Sequence, residues 1–300
     1  MTAARFDGRI AFYGLADDGT QGIYVLDGRD GTVERVTGGD VFPAWGGLAW
    51  STDGRSIAFA RDLCPPDPCA TVIAIVDVGT GDVRNVTTVE SGVSDADPDW
   101  SPDGQRLTFW SSRAAAGDPF RVDLFTVRQD GSAMARIPIE ATHAARPAWS
   151  PDGKWIAFER SDGVLTDLAV VHPDGTAPRS VIVAPNGVGR PSWAPDGRSL
   201  AYSTNEEAHE VSPGQFESLL EIRTTSLDGS GARALFAYPM QGANPVWSPD
   251  GMSIAFVGGP RSEPDQIWLI RVDGSDQRSL PVPGLYIQST YLDWTATLGG

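Results

Sequence analysis

Apolar runs of about five residues, the length of an ordinary strand, alternate along the chain with turn-forming clusters of Ser, Pro, Asp and Gly, and the alternation repeats. Trp50 opens WSTDGRSIAF, Trp100 opens WSPDGQRLTF and Trp149 opens WSPDGKWIAF, followed by WAPDGRSLAY at Trp193 and WSPDGMSIAF at Trp247. The successive spacings are 50, 49, 44 and 54 residues. Trp294 follows 47 residues after Trp247, and the chain then stops before another turn. The missing turn and strand stand at the other end, where Asp7-Gly8-Arg9-Ile10-Ala11-Phe12 has no preceding Trp. Self-similarity at such a period is the mark of a repeat architecture.

Each unit reads as four short strands. An inner strand ends at the Trp, and Ser-Pro-Asp-Gly makes a tight turn, with Pro suited to its first corner and Gly to a positive φ. An Ile-Ala-Phe-like second strand follows, then a variable loop. The third strand is apolar, as in Ile23 to Leu26, Val72 to Val76 and Ile267 to Val272. It commonly runs into an Asp-Gly turn, and a short outer strand such as Val33 to Thr37 closes the unit. Four strands to a repeat of this length predict a propeller blade. The expected fold is an all-β, six-bladed β-propeller of four antiparallel strands per blade, occupying residues 1–300 as one domain. Strands from the two termini should share one blade, because an open ring would leave two unpaired sheet edges. The repeating Trp side chains are expected to fill the gaps between neighbouring sheets.

The pattern Pro-x-Trp-[Ser/Ala]-Pro-Asp-Gly, beginning at Pro98, Pro147, Pro191 and Pro245, resembles the TolB-like, WD40-like repeat of the PD40 type. The resemblance runs over essentially the whole chain and implies the propeller fold. Relatives with this repeat also occur as the propeller of serine oligopeptidases, but no Gly-x-Ser-x-Gly nucleophile elbow occurs in this sequence. A shared fold leaves the function open.

Charge narrows the partners. Lys plus Arg number 23 against 39 Asp plus Glu, a formal net charge of −16, and no basic run offsets it. Nucleic acid is therefore not an expected partner, since its phosphates would be repelled. The longest plain apolar stretch, Ala70 to Val76, falls far short of a membrane span, so no membrane insertion is expected. Cys64 and Cys69 flank Pro65-Pro66-Asp67-Pro68. In a hairpin loop the two thiols would face each other and pair as a disulfide; the alternative is a pair of reduced loop thiols. The expected location is accordingly periplasmic or extracellular, with the cytoplasm as the alternative, although no secretory signal is visible at the N-terminus. A monomer is expected, with neither cofactor nor metal, since two thiols and the scattered His143, His172 and His209 make no convincing ligand set.

Candidate binding residues follow from the blade geometry. Loops of variable length on a rigid scaffold tend to carry binding, so the face bearing the second-to-third-strand loops is the candidate site. The residue three before each Trp should sit near the mouth of the central channel: Gly47, Asp97, Arg146, Arg190, Asn244 and Tyr291. Two arginines in an acidic protein need a counter-charge. Either Asp97, Asp95 or Glu140 supplies it and plugs the channel, or the arginines hold an anionic ligand. Arg61, Arg160 and Trp110, each just beyond the aromatic that closes a second strand, extend the set as possible anchors. His143 with Asp97 is the candidate acid–base pair. The segment Thr204 to Ser218, with Glu206, Glu207, His209 and Glu210, is expected to be a solvated excursion rather than a lid. Two functions compete. One is a module binding a peptide, a protein terminus or a small anion at the mouth. The other is a stand-alone lyase, cyclase or hydrolase using the same pocket.

Overall fold

The computed structural model describes residues 5–38, 43–64, 69–114, 118, 121–184, 187–205, 208–212, 215–218, 220–236, 240–260 and 265–296. Six four-stranded antiparallel sheets form a ring. Blade 1 pairs the C-terminal strand Leu285–Thr295 with Arg9–Ala16, so that Ile10 lies opposite Trp294, and continues through Gln21–Asp27 to Val33–Arg35. The two chain ends thus meet as neighbouring strands of one sheet and leave no open edge in the ring. The inner strands of blades 2 to 6 are Pro43–Trp50, Asp95–Trp100, His143–Trp149, Val188–Trp193 and Met240–Trp247.

The second and third strands are buried on both faces because each sheet is covered by a neighbour on either side. Their apolar residues interleave between blades; Ile10, Phe12, Ile57, Phe59, Leu107, Phe109, Ile156, Phe158, Ile254 and Phe256 are fully buried. Trp50, Trp100, Trp193 and Trp294 are buried in these seams, and Trp149 and Trp247 are half-buried against them. In four of the five full turns, Ser51, Ser101, Ser150 and Ser248 each donate to the Asp two residues on, at 2.5–2.8 Å. The following Gly sits at φ between 64° and 71°, a conformation that glycine adopts at little cost. These hydrogen bonds hold most of the turn aspartates below the usual carboxylate range, through side-chain and backbone donors.

The excursion after Thr204 is a β-hairpin, Ala208–Ser212 against Gln215–Ser218, with His209 opposite Glu217 and Glu210 opposite Phe216. Glu206 and Glu207 lie outside the described residues. The structure closes Cys64 to Cys69 as a disulfide across five residues, with the Cα atoms 5.0 Å apart. No helix among the described residues is long and apolar enough to cross a membrane.

Candidate functional site

The inner strands change register at one place. In blades 3 to 6 the ladder to the second strand is interrupted between Ala96 and Asp99, Ala145 and Ala148, Gly189 and Ser192, and Ala243 and Val246. A proline lies inside each interruption. With no N–H it cannot donate to the ladder, so a bulge forms there. The residue before each proline takes a left-handed backbone: Asp97 at φ 52°, Arg146 at 53°, Arg190 at 46° and Asn244 at 54°. Such a conformation costs a side-chain-bearing residue about 1–2 kcal/mol, and it re-aims four polar side chains toward the channel axis. Gly47 of blade 2 and Tyr291 of blade 1 complete that level.

The two arginines have different fates. Arg190 crosses the channel from blade 5 to form an ion pair with Asp97 of blade 3, and its side chain is only 15% exposed. Its guanidinium carbon stands 3.4 Å from the ring centre of Tyr291 in blade 1. Asp97 also accepts from the Gly47 amide at 2.6 Å and from Trp110 Nε1 at 2.6 Å. The hydroxyl of Tyr13 reaches the Gly47 carbonyl at 3.3 Å. Burial works against the Asp97 charge, but contact with Arg190 outweighs it and holds the carboxyl below its ordinary value. The ensemble locks blades 1, 2, 3 and 5 together across the channel.

Arg146 is different. It pairs with Glu159 of its own blade and keeps 38% of its side chain exposed. Burial opposes its charge, yet Glu159 and Asp97 together keep its pKa above the ordinary arginine value. On the loop-bearing face it borders a pocket of about 310 Å³, shared with Glu159, Ser203, Asn205, Asn244 and Tyr291. The floor is glycine: a Cβ on Gly189 would lie 3.3 Å from Arg146 Nη1. Asn205 Oδ1 is buried there and accepts no hydrogen bond among the described residues.

The other candidates fall outside this constellation. Arg61 donates to Asn85 at 3.2 Å, and Arg160 grips Asp167 at 2.9 and 2.5 Å, each within its own blade. His143 pairs with Ser161 and bridges Val122, at the start of its strand. Asp95 serves Arg113, at 2.5 Å, rather than either channel arginine. The structure therefore brings Asp97, Arg146, Arg190, Asn244, Tyr291 and Trp110 together and leaves Arg61, Arg160 and His143 apart.

Beneath the lock, on the side of the tight turns, lies a second cavity of about 200 Å³. It is lined by two residues that the ring of six did not include, Asp99 and Asp293, each directly before a Trp. Asp99 accepts from the Trp149 amide at 2.6 Å and Asp293 from the Trp50 amide at 2.7 Å, in each case the next blade. Burial raises the Asp99 carboxyl to about 7, helped by the charge of Asp293, and raises Asp293 itself to about 6. The Asp-Trp dipeptides at 99–100 and 293–294 were a visible signal, since the other repeats carry Ala, Ser or Val at that position.

The family model for the TolB β-propeller domain, PD40, matches residues 46–213, more than half of the sequence. The chain belongs to this family. It is 32% identical over 155 residues to the uncharacterised protein Atu1656 of Agrobacterium fabrum, covering 51% of this chain and 48% of that protein. The chain thus spans about half the length of that curated relative. Among solved structures, TolB from Acinetobacter baumannii superposes with a TM-score of 0.74 at 16% identity, over 96% of this chain and 66% of that one. Oligogalacturonate lyase, solved in complex with manganese, superposes at 0.61 with 19% identity, over 93% and 77%. At these identities the superpositions speak to the fold.

Proposed function

We propose that this propeller is a binding module, and that it takes a peptide, a protein terminus or a small anionic ligand in the loop-face pocket beside Arg146. The observation that carries the reading is the contrast between the arginines. Arg190 is spent inside the protein, whereas Arg146 pairs with one carboxylate, keeps 38% of its side chain exposed and lines the pocket. A guanidinium offers several donors in a planar fork, so a carboxylate on the ligand can bind beside Glu159. Asn205 Oδ1 asks for an N–H, which a peptide backbone supplies and a simple inorganic anion does not. Asn244 and Tyr291 set orientation and apolar contact. The disulfide fits a periplasmic or extracellular setting.

The catalytic alternative has less support. A perturbed carboxylate does exist at Asp99, but Asp99 and Asp293 already accept main-chain amides, and His143 lines neither chamber.

Calorimetry with citrate and with short peptides bearing free or amidated C-termini tests the reading. Arg146→Ala should abolish binding of the carboxylate-bearing probes and cost about 1 kcal/mol or less in stability, since the Arg146–Glu159 pair is partly exposed. Binding that survives Arg146→Ala in full removes the pocket as the site.

A further inference from the structure

Five of the six seams between blades alternate in kind; at the sixth, between blades 6 and 1, the Trp294 indole donates to the Asp7 carbonyl of its own blade at 2.8 Å. At the seams 1/2, 3/4 and 5/6 a side chain one residue before the Trp reaches across to the backbone amide of the next blade's Trp. The three pairs are Asp293 to Trp50, Asp99 to Trp149 and Ser192 to Trp247, the last at 3.2 Å. In these three tryptophans the indole Nε1 is buried with no partner among the described residues. At the seams 2/3 and 4/5 the matching residue is Ala49 or Ala148, and the indole itself donates to its carbonyl: Trp100 at 3.2 Å and Trp193 at 3.0 Å. Three seams are therefore closed by a side-chain acceptor, and two of those acceptors can lose a proton.

We infer that Asp99 and Asp293 are proton-operated clasps of the ring, tight when they hold a proton and strained apart when both are ionised. The geometry supplies the reason. Both carboxyls face one cavity, beyond the reach of a compensating cation. At their level the other blades present Ala49, Ala148, Ser192 and Val246, none of which titrates. The charged groups lining the same cavity are Asp97, Arg146 and Arg190, one level nearer the mouth. Arg190 pairs with Asp97 and Arg146 with Glu159, and among the described residues neither forms an ion pair with Asp99 or Asp293. Two ionised carboxylates on one cavity repel, which raises Asp99, and loss of water around each half-buried carboxyl raises both. The amides of Trp50 and Trp149 favour ionisation but do not overcome those two effects. Ser192 performs the same closure without a charge and serves as an internal control.

A folded-state pKa raised above the unfolded value gives stability that is complete at low pH and is lost as pH rises through the folded pKa. The window here lies between about pH 5 and 8, above the range in which the lowered turn carboxyls of Asp53, Asp103 and Asp152 titrate. The test is urea unfolding at pH 5.5 and 8.0 of the wild type, Asp99→Asn, Asp293→Asn and the double variant. Asn removes the charge and keeps one acceptor oxygen for the next blade's Trp amide, and its NH2 takes the place of the oxygen that accepts from the following residue's own amide. The wild-type folding constant should fall roughly ten- to a hundredfold between the two pH values. Each single variant should remove its share, and the double variant should be nearly flat and more stable than wild type at pH 8.0. A wild type with no such fall, or a double variant with the wild-type slope, overturns the inference. Should an Asn variant not fold, carbon-13 titration of the wild-type carboxyls decides. Two resonances moving between pH 5.5 and 7.5 support the clasps, and every carboxyl titrating near pH 4 rules them out.

Discussion

Asp97 and Asp99 stand two residues apart on one inner strand, Asp97 buried and Asp99 half-buried at the channel, and their environments drive their carboxyl groups in opposite directions. The proline between them accounts for part of this. The bulge at Asp97-Pro98 turns the Asp97 side chain toward Arg190, while Asp99 resumes the strand and points at the amide of the next blade. One carboxylate meets a cation from across the ring; the other meets only amides and, across the cavity, another acid. Burial raises a carboxyl wherever nothing opposes it, so the same desolvation yields a permanent ion pair in one case and a titrating group in the other.

The largest expected effect separates these two roles. Asp97→Ala leaves the Arg190 guanidinium buried without its partner and should cost about 3–5 kcal/mol in urea unfolding, as broken buried pairs do. Its pH signature has the opposite sign to that of the clasps. The Asp97 pKa is depressed in the folded protein, so its stabilisation is present above about pH 4 and is lost as pH falls further. A loss under 1 kcal/mol would mean that the pair contributes little and the lock is held by packing. Next comes Gly47→Ala. The added Cβ would stand 3.0 Å from Asp97 Oδ1 and 3.1 Å from Arg190 Nη1, forcing the pair to shift. A cost of about 1–3 kcal/mol is expected, as for other overpacked sites, with the slope between pH 5.5 and 8.0 unchanged because Asp99 and Asp293 are untouched. Smallest is Trp110→Phe, which removes one donor to Asp97 and should cost about 1–2 kcal/mol. A shift of the acid unfolding midpoint to higher pH should accompany it, because the Trp110 hydrogen bond helps to depress the Asp97 carboxyl.

Much of this molecule was legible before any coordinates. The Trp-Ser-Pro-Asp-Gly units predicted blades and turns, and the Trp294–Ile10 pairing is the closure that the split repeat required. The counting rule of three residues before the Trp picked out Asp97, Arg146, Arg190 and Asn244, which are the left-handed residues before the bulge prolines. It failed to distinguish Arg146 from Arg190, because their sequence contexts are alike and their partners are not. Glu159 lies 13 residues from Arg146, whereas Asp97 lies 93 from Arg190. Arg61, Arg160 and His143 were nominated for their position along a strand. Arg61 and Arg160 instead found side-chain partners in their own blades, which depends on side-chain reach rather than on spacing, and His143 stands at the start of its strand in backbone pairing with Ser161 and Val122.

Local chemistry therefore determined the repeating unit. Turn formation, strand burial and the bulge at each proline involve residues a few positions apart, and their pattern can be read directly from their order. Ring closure decided the rest. It set Asp99 and Asp293 on one cavity and sent Arg190 across to Asp97, leaving Arg146 facing the pocket. Charge depends on which groups face each other through a low-dielectric space, and only the closed ring brings those groups face to face.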